Sequence, residues 1–387
     1  MLNANPSVFA QASQETRLAR ESEFQKSVRV LLIAPSLRII GGQSIQASRL
    51  QRYLEQEPGI QISFLSVDCR LPSFLRIKYL RTLITLVICL ARMFRAIGRA
   101  DVIHIFTPGY LAFYLAPAPA LLAARLVGKP AILNCHDGRA PDHLARWPVA
   151  GRLMRLASEI VVPSEYLVEV FARFGLRAVC VPNVAGTESM RYRARLWPRP
   201  VFLHTRGLAA EYNPACTLRA FAIIQQRYPE ARLTVAHDGP QRRELVELAA
   251  SLGLRRVNFI GSVAPEDMPA LYDSSDIYLM SPDADNMPLS LLECFAAGLP
   301  VVSSSAGGIS HLIQDQLNGM LFMPGDHCGM AACALRLLEE PGLAARLASE
   351  ARRSCARYSW SDIGPQWMEL YRRLADRFLS ERSMNSA

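Results

Sequence analysis

Residues 285–308, DNMPLSLLECFAAGLPVVSSSAGG, contain the pattern from which the fold can be worked out. An acid opens the stretch, Pro288 follows three residues later, and an apolar run then continues through Glu293. Proline fits the first turn of a helix, because its missing N–H costs nothing there, and Asp285 or Asn286 could cap that turn. The segment LPVVSSS predicts a buried strand and AGG a loop of small residues. The stretch therefore predicts a loop, a helix, a strand and a second loop in succession.

The two acids of this stretch are candidates both for binding and for structure. Asp285 would lie in the loop at the mouth of the preceding strand, where it could cap the helix or contact a ligand. Glu293 would lie one to two turns into the helix among apolar residues, and a carboxylate there needs a partner that offsets its desolvation. An ion-pair partner and the hydroxyl pair of a ligand both meet that need, so both interpretations stay open.

Gly307 and Gly308 end the stretch just before a predicted helix. A loop of small residues lets backbone N–H groups approach phosphate oxygens at the positive end of a helix. A glycine pair can equally form an ordinary turn. The combination with one acid at the strand mouth and another on the next helix favours a binding role.

The same alternation of short apolar runs and longer helical patterns extends along most of the chain. Strands separated by helices imply parallel sheets with right-handed crossovers. Because two series occur, we expect an α/β fold with two Rossmann-like, doubly wound parallel-sheet domains. In such sheets ligands bind beyond the carboxyl ends of the strands, which places a ligand in a central cleft that the two domains face. The predicted strands are VRVLLIAP, IQISFLSV, DVIHIF, PAILNCH, EIVVPS and AVCVPN in the first series and VFLHTR, ARLTVAHDG, VNFIGS, DIYLMSP, LPVVSSS and GMLFMPG in the second.

The patterns divide the 387 residues into five parts. The length alone favours two hydrophobic cores, and the polar N-terminus lacks the apolar segment of a secretory signal. We expect a flexible tail over residues 1–27, a first domain over 28–183, a polar, arginine-rich linker over 184–200, a second domain over 201–360, and a C-terminal helix over 361–387 that packs back on the body.

Composition narrows the classes of partner. The net charge is +9, and the only lysines are Lys26, Lys78 and Lys129. Arginine binds phosphate and carboxylate oxygens in a planar fork, which is compatible with anionic partners, although an arginine-rich coding habit would give the same composition. The basic residues are not interleaved with aromatics, which disfavours nucleic acid. The nine cysteines form no CxxC and predict small core residues in a reducing compartment, with no metal-ligand pattern.

The sequence resembles the retaining glycosyltransferases of the GT-B fold, glycosyltransferase family 4. The shared features are two acids with seven residues between them, here Asp285 and Glu293, followed by AAGLPVV and AGG. The resemblance extends from Val28 to about Leu374, and its second half is the more specific. Further similar segments are GGQ, NCHDG, VVPSEYL, VPN, AHDGPQRRELVELAASLGL, VNFIGSV and YSW.

The resemblance implies a role for each candidate residue. Glu293 would bind the ribose hydroxyls of a nucleotide-sugar, and Asp285 would contact hydroxyls of the transferred sugar. Arg206 would bind the diphosphate, and His136 would lie near the sugar and the acceptor. No metal or other cofactor is implied. Four glycines complete the predicted substrate site: Gly41 and Gly42, whose backbone would reach the diphosphate across the cleft, and Gly307 and Gly308.

This sequence departs from the family pattern at three places. Asp285 stands where the family has glutamate, and His311 follows the glycine loop where the family has another glutamate. A diphosphate-binding lysine is absent, because residues 205–213 are TRGLAAEYN. Losing one preorganised cation can lower a rate on the order of 10²–10³-fold. Arg206 together with Arg242 or Arg243 could compensate for the missing lysine.

We therefore predict a metal-independent, retaining glycosyltransferase that moves a sugar from a nucleotide-sugar to a hydroxyl of a glycan or lipid-linked acceptor. The expected setting is surface polysaccharide or glycolipid biosynthesis at the cytoplasmic face of the cell membrane. Two alternatives stay open. One is a GT-B-fold sugar-nucleotide epimerase, and the other is a non-catalytic sugar-nucleotide-binding relative, for which the missing lysine is the best argument.

Residues 70–99 bear on membrane contact, because they combine apolar residues at helical spacing with seven basic side chains. A basic amphipathic helix can lie on an anionic membrane surface, which would suit a lipid-linked acceptor. An ordinary surface helix with a solvated basic face has the same pattern. The apolar run TLITLVICLA within this segment is too short to span a bilayer.

Overall fold

Six parallel strands form the first of two sheets in the computed structural model, which describes residues 27–37, 41–67 and 78–385. The strands are β1 (Val28–Ala34), β2 (Ile60–Ser66), β3 (Val102–Thr107), β4 (Ala131–Cys135), β5 (Glu159–Val162) and β6 (Val179–Cys180). Their order is β2-β1-β3-β4-β5-β6, and Val30 of β1 lies opposite Ile62 on one side and Val102 on the other.

The second sheet repeats this arrangement. Its strands are β7 (Val201–His204), β8 (Arg232–Val235), β9 (Val257–Phe259), β10 (Ile277–Met280), β11 (Val301–Ser304) and β12 (Met320–Phe322). They are all parallel, in the order β12-β11-β10-β7-β8-β9. Each apolar run predicted as a strand forms one, and the predicted fold class of two doubly wound parallel sheets is confirmed.

Helices cover both faces of each sheet, which explains why the central strands are continuous apolar runs. Around the first sheet lie α1 (Gly42–Leu54), α2 (Lys78–Arg99), α3 (Leu111–Leu115), α4 (Pro117–Val127), α5 (Ala140–Arg146), α6 (Pro148–Met154) and α7 (Glu165–Arg173). Around the second lie α8 (Pro214–Arg227), α9 (Arg242–Ser251), α10 (Met268–Ser274), α11 (Leu289–Ala297), α12 (Ile309–Leu312), α13 (His327–Glu339) and α14 (Leu343–Cys355), and α15 (Trp360–Asn385) ends the chain.

The strand order positions the loops that matter for function. In the first sheet the order reverses between β1 and β3, and in the second sheet it reverses between β7 and β10. Ligands of open α/β sheets bind at such reversals, beyond the carboxyl ends of the strands. The loops after these four strands are therefore the ones expected to meet a ligand.

The segment predicted as a linker, residues 184–200, is fastened to the second sheet. Arg195 is fully buried, and its guanidinium donates to the carbonyls of Tyr272, Ser275 and Ala297 at 2.6–2.9 Å. These carbonyls lie at or just after the ends of α10 and α11. The guanidinium thus satisfies helix-end acceptors that have no partner within their own helices.

The C-terminal helix crosses back to the first sheet. Trp367 and Tyr371 of α15 lie in one hydrophobic core with Val30. The Tyr371 hydroxyl lies 2.7 Å from Nδ1 of His104, which is completely buried on β3. One face of the first sheet is therefore covered by the last helix of the chain.

The basic segment of residues 70–99 forms α2 from residue 78 onward. Arg70 and Arg76 lie outside the described residues, as do residues 1–26 of the predicted tail. Met93 and Ile97 pack into the core, whereas three basic residues near them are exposed: Arg92, Arg95 and Arg99. No helix in the described part of the chain is both long and apolar enough to cross a bilayer.

The cysteines depart in one respect from the sequence prediction. Cys89 on α2 is disulfide-bonded, whereas the other cysteines in the described ranges are free thiols. Four of those thiols are buried, and burial raises the pKa of Cys135 and Cys294 well above the usual range. Buried thiols of this kind act as core residues and not as nucleophiles.

Candidate functional site

A cavity of about 510 Å³ opens between the carboxyl ends of the two sheets. Loops and helix ends from both halves of the chain line it. Six of the eight predicted site residues belong to this lining: Gly41, Gly42, His136, Arg206, Asp285 and Glu293. The structure therefore brings together residues that are up to 252 positions apart, which the sequence alone could group only by resemblance.

Gly307 and Gly308 are the two predicted site residues outside the cavity lining. The N–H of Gly308 donates to the Asp285 carbonyl at 3.2 Å. Gly307 has a φ of +54°, and a Cβ there would lie 2.2 Å from the same carbonyl oxygen. A Cβ at Gly308 would lie 2.6 Å from the carbonyl oxygen of Asn286. The glycine pair thus packs against the backbone of residues 285–286, which agrees with the alternative that the pair forms an ordinary turn. The structure gives no support for the predicted phosphate contact.

Glu293 accepts hydrogen bonds on both of its carboxylate oxygens. Oε1 accepts from Arg49 Nη2, and Oε2 accepts from the Tyr272 hydroxyl at 2.7 Å. Tyr272 lies on α10, whereas Arg49 comes from α1 in the other half of the molecule. The ion-pair interpretation of Glu293 is therefore present in the structure, and the pair also lines the cavity.

Asp285 pairs with Arg206 directly. Arg206 follows β7, and its Nη2 atom lies 2.5 Å from Oδ2 of Asp285, while its guanidinium stacks over the Tyr212 ring at 4.4 Å. Burial opposes the charged form of Arg206, but the combined interactions with Asp285, Tyr212 and Tyr278 outweigh it, so the pKa of the guanidinium is raised. Arg206 is thus a fixed cation, and its Nε atom is buried without a hydrogen-bond partner in the described residues.

The predicted cap of α11 is wrong in its details. The helix begins at Leu289, with Pro288 just before it, and no side chain caps its first turn. Asp285 Oδ1 accepts from the N–H of Asn286 at 2.9 Å, and Asn286 Oδ1 accepts from the Ser164 hydroxyl. Both side chains that could have capped the helix are instead used within the loop and across the cleft.

His136 follows β4 and faces the cavity. Its ring stacks on Phe106 with centroids 5.1 Å apart, and its Nε2 atom is buried with no hydrogen-bond partner among the described residues. Burial lowers the pKa of His136 to about 3, so the imidazole is neutral at physiological pH. A neutral ring can donate from one nitrogen and accept at the other, which suits substrate orientation.

The cations proposed to replace the missing lysine lie elsewhere. Arg242 donates to the Phe259 carbonyl at 3.1 Å and Arg243 pairs with Glu247, and neither lines the cavity. His311, which stands where the family has a second glutamate, lies on α12 and is also outside the lining. The structure therefore gives no support for the hypothesis that Arg242 or Arg243 compensates for the missing lysine. Within the described residues the cavity-lining arginines are Arg49, Arg139 and Arg206.

Arg139 is a cavity residue that the sequence did not single out. Its guanidinium lies 4.8 Å from the centroid of the Tyr110 ring and 4.0 Å from the carboxylates of Asp137 and Glu211. Tyr110 has a φ of +57°, an uncommon conformation that tends to occur at functional sites. This corner of the cleft presents an aromatic face, a cation and two acids, which together suit a polyhydroxylated ligand.

The segment 285–293 is also one of the places where the two halves of the molecule touch. Besides the contact of Ser164 with Asn286, the Asn183 side chain donates to the Met287 carbonyl at 3.0 Å. A signal for these contacts was absent from the sequence, since each joins residues more than 100 positions apart.

In the described ranges no group of three or more His, Cys, Asp or Glu residues could hold a metal ion.

Two stretches of the chain match known protein families. Residues 194–354 match the family described as glycosyl transferases group 1. Residues 17–184 match the one described as glycosyl transferase 4-like domain. The two matches cover the second and the first half of the fold, respectively.

Individual relatives extend the comparison. The α-D-kanosaminyltransferase of Streptomyces kanamyceticus is 26% identical over 311 residues, which cover 73% of this chain and 79% of that protein. Sulfoquinovosyl transferase SQD2 of Arabidopsis thaliana is 25% identical over 290 residues, 68% of this chain, and the match spans only 54% of that protein. The crystal structure of Anabaena Alr3699/HepE with UDP and glucose covers 89% of this chain and 99% of its own, with a TM-score of 0.71 and 21% identity. That likeness shows a common fold.

Proposed function

The chain is a glycosyltransferase of the glycosyl transferases group 1 family with the GT-B fold, and on that premise we propose its reaction. It transfers a sugar from a nucleoside-diphosphate donor to a hydroxyl of a glycan or lipid-linked acceptor, with retention of the anomeric configuration. The observation that supports this most is the convergence of Glu293, Arg206, Asp285 and His136 on one inter-sheet cavity.

The cavity is suited to a polar ligand. Several buried polar atoms around it have no hydrogen-bond partner within the described residues: His136 Nε2, Arg206 Nε, Asn183 Oδ1 and Asn286 Nδ2. A buried polar group without a partner is unfavourable by about 1–3 kcal/mol. A ligand rich in hydroxyl and phosphate oxygens would satisfy these atoms. HepE, of the same fold, was solved with UDP and glucose, so UDP is the first nucleotide to test.

In the proposed mechanism the sugar–phosphate bond breaks as the acceptor oxygen approaches the same face of the sugar. Negative charge then grows on the diphosphate, where Arg206 and the backbone N–H of Gly42 stabilise it through charge-assisted hydrogen bonds. The N–H of Gly41 donates to the Ser44 hydroxyl at 3.1 Å, so Gly41 contributes close backbone approach. Asp285 binds hydroxyls of the transferred sugar. A phosphate oxygen of the leaving group receives the acceptor proton, and neutral His136 orients the substrates.

A nucleotide screen tests the proposal. We expect UDP, GDP or ADP, or the corresponding glucose donor, to raise the melting temperature of the wild type. Glu293→Gln should abolish the rise, whereas the exposed Glu247→Gln should keep it. Donor consumption is then measured with and without acceptor extracts. Turnover that needs acceptor supports a transferase, turnover without acceptor indicates the epimerase alternative, and binding without turnover indicates the non-catalytic alternative.

An apolar patch beside the cavity supports a lipid-linked acceptor. It consists of exposed residues on α3, α4 and the α5–α6 junction, with Leu111 next to the cavity residue Tyr110 and a 5.3 Å ring contact between Tyr114 and Trp147. Exposed arginines on α2, α4 and α6 give the surrounding surface positive charge. The patch residues are Leu111, Leu115, Leu122, Leu126, Trp147 and Val149.

We propose that this patch rests on an anionic membrane at the cytoplasmic face, in surface polysaccharide or glycolipid biosynthesis. Apolar side chains would enter the interface while arginines bind lipid phosphates. The test is cosedimentation with vesicles of phosphatidylglycerol and phosphatidylcholine at low salt. Leu115→Ser with Trp147→Ser should weaken binding to anionic vesicles several-fold. Equal recovery of the wild type with purely zwitterionic vesicles would contradict the proposal.

A further inference from the structure

Arg49 joins the two halves of the molecule at Glu293. It lies two turns into α1, and its Nη2 atom donates to Glu293 Oε1, a residue 244 positions later. Its Nη1 atom donates to the Ala185 carbonyl at 2.7 Å. The two charged side chains are only 14% and 10% exposed. Removing one partner from a pair this far buried leaves the other charge poorly compensated, so the position of the carboxylate depends on its protein partners.

The backbone next to this pair leaves room for Arg49 only because it contains a glycine. Gly186 has a φ of +57°, and a Cβ there would lie 2.8 Å from both Cδ and Nε of Arg49. The guanidinium is thus held by a carbonyl, a carboxylate and a glycine that permits its approach. These three contacts fix the position of the guanidinium, unlike the contacts of a solvated surface arginine.

The hydrogen bonds of Glu293 leave acceptor capacity for a ligand. An ionised carboxylate has about four lone-pair sites. Arg49 uses one site on Oε1, and Tyr272 uses one on Oε2. About one site per oxygen is left on a carboxylate that lines the cavity, enough for two adjacent hydroxyl groups.

We propose that Arg49 is a positioning residue for the ribose of the donor nucleotide. It acts through Glu293, by fixing the carboxylate plane that accepts from the 2′- and 3′-hydroxyls. Because Arg49 belongs to the first half and Glu293 to the second, the ribose site is complete only when both halves are in contact. The inference rests on the proposed function, in which Glu293 binds ribose.

Calorimetry tests this role by comparing the affinities for UDP and 2′-deoxy-UDP. If the nucleotide screen selects a guanine nucleotide, GDP and 2′-deoxy-GDP are used instead. The wild type should bind the ribonucleotide more tightly. In Arg49→Gln the affinity for the ribonucleotide should fall about ten- to a hundredfold, the range for a hydrogen bond to a charged group. The preference over the 2′-deoxy form should shrink toward one. Arg52→Gln, at an exposed position on the same helix, should match the wild type.

Several results would overturn the inference. One is an Arg49→Gln variant that keeps both the affinity and the preference of the wild type. A tighter ribonucleotide complex would show that Arg49 competes with ribose. An equal loss of affinity for both nucleotides would show that Arg49 only holds the halves together.

If Arg49→Gln does not fold, Arg49→Lys decides, because one ammonium cannot reproduce both hydrogen bonds of the guanidinium. An unchanged preference for the ribonucleotide in Arg49→Lys would refute the role. A wild type that binds no nucleoside diphosphate refutes the proposed function as well, whereas a failure confined to the variants refutes this inference alone.

Discussion

At the scale of single residues, two of the acids that line the cavity have arginine partners from different halves of the molecule. Asp285 is paired with Arg206 of the same half, and Glu293 is paired with Arg49 of the other half. The sequence predicted that Glu293 needs a partner, because a carboxylate among apolar residues is otherwise too costly. It could not name Arg49, since an arginine on an amphipathic helix is usually solvated and the contact spans most of the chain.

Arg206 should be required for the chemical step. Arg206→Gln removes the cation that would meet the leaving diphosphate, and we expect transfer to fall on the order of 10²–10³-fold. Arg206→Lys keeps the charge without the planar fork and should retain part of the activity. The rate of donor consumption at saturating donor measures this effect.

Arg242→Gln is the matched control for that experiment, because Arg242 lies outside the cavity lining. It should consume donor at the wild-type rate. A loss in Arg242→Gln as large as in Arg206→Gln would contradict the assignment and favour the earlier hypothesis that Arg242 compensates for the missing lysine.

At the scale of helices and strands, the sequence was informative for a physical reason. The central strands are buried on both faces and therefore appear as continuous apolar runs bounded by Gly, Pro or Ser, a pattern that does not depend on distant residues. The glycine loop at Gly307 and Gly308 was harder to interpret, because close backbone approach needs glycine whether the neighbour is a phosphate or another loop. Only the structure shows that the neighbour is the backbone of residues 285–286.

The attachment of α15 to the first sheet should make the protein sensitive to acid. His104 is fully buried between the Tyr371 hydroxyl and the Asn134 amide, and burial lowers its pKa to about 3. An unfolded histidine has a pKa of about 6.5, so between these values the unfolded chain binds a proton that the folded chain does not. Stability from this group is therefore complete above about pH 6.5 and is lost as the pH falls.

Urea unfolding at pH 6.0 and pH 4.5 measures this proton. His104→Gln should be less stable at pH 6.0, because the packing and hydrogen bonds of the imidazole are lost. Between pH 6.0 and pH 4.5 the free energy of unfolding of His104→Gln should fall by about 2 kcal/mol less than that of the wild type. This is the contribution of one proton that binds only to the unfolded chain over this pH interval. His311→Gln, at an exposed position, should lose as much as the wild type. Equal losses in all three proteins would contradict the prediction.

The 184–200 segment should stabilise the second half through one side chain. Arg195→Met leaves the carbonyls of Tyr272, Ser275 and Ala297 buried without their donor, and we expect a loss of about 3 kcal/mol or more in the free energy of unfolding. Arg191→Gln, an exposed neighbour, should change it by less than about 0.5 kcal/mol. Denaturant titration measures both, and a neutral Arg195→Met would show that water satisfies these carbonyls.

At the scale of the whole molecule, one short segment contains the predicted donor-binding acids and also makes several of the contacts between the halves. Residues 285–293 carry Asp285 and Glu293, and they receive hydrogen bonds from Ser164, Asn183 and Arg49 of the first half. The relative position of the halves therefore sets the geometry of the acids. The sequence predicted Arg206, Asp285 and Glu293 of the second half, and all three line the cavity. The contacts between the halves could not be predicted, because they depend on how the two sheets meet.

Gly138 is the position at which this dependence can be tested without touching a charged group. A Cβ there would lie 2.9 Å from the Cα and carbonyl carbon of Asp285, which is backbone and cannot rotate away. Gly138→Ala should therefore move the two halves apart by a few tenths of an ångström and lower kcat/KM, by about tenfold or more given the sensitivity of reacting groups to small displacements. Its melting temperature should stay near that of the wild type, because no core contact is lost. Gly98→Ala adds a methyl group to an exposed helix site with no atom within 4 Å and should be neutral in kcat/KM. If Gly138→Ala transfers sugar as fast as Gly98→Ala, then closure of the two halves does not control the acids, and the donor site functions within the second half alone.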